Sequence, residues 1–271
     1  MQKRLPLTAL FLLCLMTKPI TAAEPAAKPV DPLTRFEAKM LQSQSVAGGS
    51  LNYRLLTPRE YDAKADKAYP LMLFLHGAGE RGTDNKGQLR HGARELANDL
   101  QSAGACFVVA PQCPPGKQWV NTPWGKGNYS AEMVAISDEL KMAIEAVEKT
   151  ASEHKIDKAR IYVMGLSMGG FGTWDAIVRR PDLFAAAIPI CGGGDPAAAD
   201  KIKSIAIWTF HGGADTTVPT KGTQEMVAAL QKAGAKTLKY EEFPGVGHNS
   251  WSPAWKTKGL FEWLLKQRKG E

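Results

Sequence analysis

Cysteine is scarce in this chain: its 271 residues include four. Cys14 lies in an apolar N-terminal segment, and the remaining Cys106, Cys113 and Cys191 form an odd set that leaves at least one thiol free. None of their spacings suits a metal site, so neither metal nor cofactor is expected. Cys106 and Cys113 bracket the run FVVAPQ, which as a strand would hold them on the order of 20 Å apart, too far to bridge. Cys113 and Cys191 both follow apolar strands and remain a conceivable pair in an oxidising compartment. Also lacking is any Lys/Arg-rich block interleaved with aromatics, which argues against a nucleic-acid partner. There is no internal repeat, and beyond the N-terminal segment no apolar run is long enough for a transmembrane helix.

The N-terminus reads as an export signal. MQKR is positive, LPLTALFLLCLM is apolar but too short to span comfortably, and TKPITAA ends in small residues. Cleavage is expected after Ala23, with Ala22 the neighbouring alternative. Leu13 stands where a lipid-attached Cys14 would need a small residue before it. Removing Lys3, Arg4 and Lys18 leaves 31 of 34 basic residues against 27 acidic ones, so the excess falls from +7 to +4. The mature protein is expected to be soluble and exported, periplasmic or secreted. Residues 24–32, EPAAKPVDP, read as a mobile leader, and residues 33–271 as one catalytic domain.

That domain is 44% hydrophobic over the whole chain's count, enough for one substantial α/β core. Strands are expected at 51–58, 71–77, 106–112, 160–165, 185–191, 205–212 and 238–244. Several are nearly continuous in Val, Ile, Leu and Phe, as parallel strands covered on both faces should be. Helical patterns alternate with them: 130–154, with Ser130 as cap and Met133, Ile136, Leu140, Ile144 and Val147 on one stripe; FGTWDAIVRR, stopping at Pro181; 220–234; and 253–269. The fold class is therefore α/β, a mostly parallel central sheet with helices on both faces.

One stretch raises a chemical question. RIYVMGLSMGGFGTW (160–174) puts Ser167 on the corner between a strand and a helix, with glycines two residues away on both sides. Serine there would serve as an ordinary helix cap, or as the nucleophile of a strained strand-to-helix turn. A nucleophilic serine needs a base and a carboxylate. Asp215 follows IAIWTFHGGA and His248 follows LKYEEFPGVG, both just past expected strand ends. The order serine, aspartate, histidine is that of a hydrolase triad on such a sheet. Asp195, in CGGGDP, is the rival acid. His91 and His154 read as structural or solvated, and His76 and His211 as braces for loops. An oxyanion needs N–H donors: Met168 at the start of the helix, and Ala78 in LMLFLHGAGERG, with Gly79 as fallback.

LFLHGAGERGTDN, RIYVMGLSMGGFGTW, ICGGGDP, FHGGADTTVP and GVGHNSW resemble the secreted esterases and predicted peptidases of the α/β-hydrolase superfamily. Polyhydroxybutyrate depolymerases and feruloyl-esterase-like carbohydrate esterases are the nearest group, with phospholipase/carboxylesterase relatives beyond. The resemblance covers roughly residues 45–265. It implies Ser167 as nucleophile, Asp215 as acid, His248 as base, Ala78 and Met168 as oxyanion donors, and no large lid domain. The expected activity is a serine esterase acting on short or aromatic acyl esters, small or carbohydrate-linked. A small serine peptidase and a non-catalytic binding protein are the alternatives. The irregular stretch 111–130 carries Trp119, Trp124 and Tyr129, and Trp251 follows His248 by three; the tryptophans are candidate substrate contacts. Oligomeric state is not legible.

Overall fold

Continuous apolar runs form the middle of one eight-stranded sheet. The structure, a computed structural model, describes residues 30–270; the expected export signal and residues 24–29 of the leader lie outside them. The strands are β1 (Phe36–Gln42), β2 (Ser50–Leu56), β3 (Tyr69–Leu75), β4 (Phe107–Pro111), β5 (Ile156–Leu166), β6 (Ala186–Ile190), β7 (Ala206–Gly212) and β8 (Leu238–Phe243). Their spatial order is β1-β2-β4-β3-β5-β6-β7-β8. β2 pairs antiparallel with β1 and β4, and every other pair is parallel.

Two apolar layers follow from the alternation of side chains across the pleat. Leu71, Leu73 and Leu75 of β3 face one layer, shared with Leu140, Ile144 and Val147 of α1 (Asp138–Glu153), Trp174 and Ile177 of α2 (Met168–Arg179), and Met226 and Leu230 of α3 (Thr220–Lys232). Met72 and Phe74 face the other layer, beneath Leu96 and Leu100 and the C-terminal Leu260, Phe261 and Leu264 of α4 (Leu260–Lys266). This is the expected α/β-hydrolase architecture, and no inserted domain interrupts the sheet among the described residues.

Four details differ from the sequence expectation. β1 is an additional edge strand, FEAKMLQ, in which Phe36 and Leu41 are buried while Glu37 and Lys39 face outward and pair; charges on an edge discourage further pairing. α1 starts eight residues later than Ser130. Ser137 caps it by accepting from the Leu140 N–H at 3.0 Å, and Met133 is 84% exposed. Residues 130–134 instead close a turn, with Val134 N donating to Ser130 O at 2.9 Å, because Ala131 N is drawn to Asp195 and Val134 O to Arg179. The closing helical pattern breaks into Trp251–Ala254 and α4 at Gly259, whose φ of +77° interrupts a right-handed helix. Finally, Cys106, Cys113 and Cys191 are all buried and free, so the conceivable Cys113–Cys191 bridge is not formed. Burial raises the Cys191 thiol to about 12 and Cys113 higher still.

Candidate active site

β5 is the central parallel strand, and its end at Leu166 delivers Ser167 directly into α2. Ser167 has φ +55° and ψ −118°, outside the regions a serine ordinarily occupies, at a cost on the order of 1–3 kcal/mol. Close packing holds the turn. A Cβ on Gly169 would lie 1.9 Å from Leu75 O, and one on Gly165 would lie 2.3 Å from Gly169 O. The glycines therefore let α2 seat against β3 and β5 without a side chain between them. Ser167 N donates to Ile190 O of β6 at 2.9 Å. Its hydroxyl makes no capping bond, so the plain helix-cap reading does not describe it.

Ser167 Oγ lies 2.8 Å from His248 Nε2, and His248 Nδ1 lies 2.7 Å from Asp215 Oδ2. Because a carboxylate only accepts, Nδ1 carries the proton and Nε2 is left to accept from the serine hydroxyl. The other carboxylate oxygen, Oδ1, accepts from Thr217 N at 2.8 Å and Val218 N at 3.0 Å. Burial alone would raise the Asp215 carboxyl. The bonds from His248, Val218 and Thr217 outweigh it and hold Asp215 below the ordinary carboxylate range. Asp195 is engaged elsewhere: its Oδ2 accepts from Ala131 N at 2.8 Å and its Oδ1 from Ala197 N at 3.0 Å, which pins the loop before α1.

Ala78 and Met168 share a structural position, each being the first residue of a helical element. N–H groups at such starts have no acceptor within their own helix. The Gly77–Ala78 peptide is fixed from its carbonyl side, where His76 Nδ1 donates to Gly77 O at 2.6 Å. In a trans peptide the N–H points opposite the C=O, so this bond aims the Ala78 N–H. His76 Nε2 accepts from Cys113 N at 2.9 Å, and its carbonyl accepts from Trp119 Nε1 at 3.0 Å. A ring that donates through one nitrogen and accepts through the other is neutral, and burial lowers its pKa to about 4. Arg81 Nε clamps Ala78 O at 2.9 Å, a bond within its own loop. Gly79 follows inside the same short helix.

The three tryptophans separate. Trp119 is fully buried and bonded to the His76 carbonyl, so it braces the loop and does not line a pocket. Trp124 is half-buried over a small apolar patch of Val120, Phe171 and Val218, with the Arg81 guanidinium 5.8 Å from its ring. That patch was not evident from sequence, since only the fold brings the first turn of α2 beside the Asp215 turn. Trp251 meets the His248 ring edge-on at 5.5 Å and stands 5.6 Å from His91. Trp251 also lines an open groove of about 660 Å³, where Arg90, Arg94 and Lys256 are matched by Glu95, Asp99 and Glu262. Tyr129 donates to Asp175 at 2.8 Å, which ties the 111–130 stretch to α2. His154 ends α1 against Phe107 and Tyr61. Among the described residues no group of His, Cys, Asp or Glu is placed to hold a metal ion, and no helix is long and apolar enough to cross a membrane.

Comparison with known proteins adds to this geometry. Residues 119–253 match the model of the dienelactone hydrolase family. The crystal structure of a thermostable esterase superposes with a TM-score of 0.79 at 38% identity, over 88% of this chain and 64% of that one. "Probable glutamyl endopeptidase, chloroplastic" of Arabidopsis thaliana is 26% identical over 164 residues, 60% of this chain and 17% of that protein. A "Probable carboxylesterase" of Oryza sativa subsp. japonica is 24% identical over 196 residues, 66% of this chain and 81% of that protein. The chain thus spans less than two thirds of the length of the first two.

Proposed function

We propose that this chain, whose sheet has the α/β-hydrolase architecture and whose residues 119–253 match the dienelactone hydrolase model, is an exported serine esterase working through an acyl-enzyme. The observation that carries this reading is the unbroken line from Ser167 Oγ through His248 to Asp215, with bonds of 2.8 and 2.7 Å. Ser167 attacks the ester carbonyl while His248 Nε2 takes its proton. The tetrahedral oxyanion is met by the Ala78 and Met168 N–H groups, each such donor being worth roughly 10²–10³ in turnover. Collapse expels the alcohol, which takes the proton from Nε2. Water then repeats the sequence on the acyl-enzyme, with His248 again as base. The reaction calls for no cofactor.

Val120, Phe171 and Val218 are themselves buried and back the half-buried Trp124 next to the Asp215 turn. Trp124 is the ring we assign to stacking on a short or aromatic acyl group, in preference to a long aliphatic one. The groove lined by Trp251, with acidic and basic side chains beside its aromatic rings, suits a bulky polar alcohol such as a carbohydrate. A peptidase is the second reading, favoured by the match to the glutamyl endopeptidase over 60% of this chain. A matched panel of acetyl, feruloyl and long-chain esters and corresponding amides tests both. We expect kcat/KM highest for acetyl or feruloyl esters. A higher value for long-chain esters contradicts the acyl preference, and a higher value for amides favours the peptidase.

A further inference from the structure

β7 ends on His211 and Gly212, and its next turn carries Asp215. The side chains of His211 and Asp215 are both wholly buried, and His211 Nε2 lies 3.2 Å from Asp215 Oδ2. The same nitrogen lies 3.1 Å from Val218 O. A carbonyl oxygen only accepts, so Nε2 bears a proton. Nδ1 lies 2.7 Å from Thr223 Oγ1 of α3. Two imidazoles thus address one carboxylate oxygen, since His248 Nδ1 donates to Oδ2 at 2.7 Å.

We propose that His211 is a positioning residue for the hydrolysis inferred above: its Nε2–H, shared between Val218 O and Asp215 Oδ2, fixes the carboxylate and tempers the charge that His248 meets. The two histidines are mounted differently. His211 belongs to β7, an interior strand between β6 and β8. His248 lies beyond β8, the edge strand, with a side chain 23% exposed. His248 must also exchange protons with serine, leaving group and water during a cycle. Oδ1 is held by amides of its own turn, so His211 is the contact to Oδ2 that does not take part in proton transfer. The charged or titratable groups around His211 are Asp215 in its own turn, His248 beyond β8, and Glu242 on β8. Burial disfavours a charged His211 ring and lowers its pKa, against the pull of Asp215. At neutral pH its contribution is then that of an N–H dipole. Drawing charge from Oδ2 weakens the stabilisation of a protonated base, so losing the dipole should raise the pH at which the base frees its lone pair.

The experiment is the pH profile of kcat/KM on a short-acyl ester for the parent, His211→Phe, His211→Gln and Ser167→Ala, each checked for a cooperative melting transition. His211→Phe keeps a ring and removes the donor. We expect kcat to fall by up to roughly 10²-fold, KM to stay within about threefold, and the rising limb to move up by about half a pH unit. His211→Gln, which restores an N–H, should return most of kcat and the parental limb. A folded His211→Phe with the parental limb, or with its loss confined to KM, overturns the proposal. Should His211→Phe not fold, ¹⁵N-histidine NMR of the parent decides: a proton on Nε2 is expected, and a ring protonated on Nδ1 alone overturns it. The proposal rests on the serine-esterase reading, and Ser167→Ala separates the two. Full activity in that variant removes the reading itself, whereas an inactive Ser167→Ala beside an unmoved His211→Phe limb removes only the role of His211.

Discussion

At the scale of single residues, the division of labour between two aspartates is the sharpest consequence of the geometry. Asp215 faces His248 at 2.7 Å, while both oxygens of Asp195 are taken by backbone amides, Ala131 N of the loop before α1 and Ala197 N of its own turn. Asp215→Asn presents an amide that supports the wrong imidazole tautomer, and we expect turnover to drop on the order of 10⁴-fold with little change in thermal midpoint. Asp195→Asn should retain turnover within about tenfold and act mainly through the loop it pins. Steady-state kinetics on both variants decides, and a larger loss in Asp195→Asn than in Asp215→Asn reverses the assignment. Ser167, Asp215 and His248 could be picked out in the sequence because each follows an expected strand, a local signal that is strong for the apolar β5 and β7 and weaker for the largely polar β8. His211 Nε2 beside Asp215 and the Phe171–Val218 patch were not legible. They depend on how β7, α2 and α3 are turned toward one another, which no local pattern encodes.

Among the elements, the β3–Ala78 loop depends on a buried histidine that must stay neutral. His76 donates to Gly77 O and accepts from Cys113 N, and protonating it breaks the second bond at a buried position. Its pKa falls from 6.5 to about 4 on folding. Between those values the unfolded chain holds a proton that the folded chain lacks. Stability from this residue is therefore complete above pH 6.5 and is lost as pH falls toward 4, by up to about 3 kcal/mol. Melting curves from pH 7 to pH 4.5 should show a midpoint falling by several degrees, more shallowly in His76→Gln, which does not titrate. A parental midpoint that is flat over this range contradicts the account. Element boundaries were the less legible part of the fold. Ser130 and Ser137 are both plausible caps in sequence, and the choice falls to Ser137 because Asp195 and Arg179 claim the backbone of the preceding turn. The edge strand β1 escaped notice because only Phe36 and Leu41 of its seven residues are buried, too sparse a pattern to read as a strand.

For the whole molecule, the sheet order explains why residues far apart in sequence converge. Strands β5, β7 and β8 lie parallel, so the segments after their C-terminal ends emerge on one rim, where Ser167, Asp215 and His248 meet. The parallel core was legible because its strands, buried on both faces, read as continuous apolar runs. The proposed export of the chain rests on the first 23 residues as a sequence pattern and concerns where the enzyme works, not how. Its chemistry turns on one oxygen atom. The most direct measurement is intact-mass analysis after exposure to a fluorophosphonate, with peptide mapping of the adduct, on the parent and on Ser167→Ala. The account predicts a single adduct on Ser167 in the parent, and in Ser167→Ala neither labelling nor ester hydrolysis. An adduct on another residue, or undiminished hydrolysis by Ser167→Ala, would contradict it.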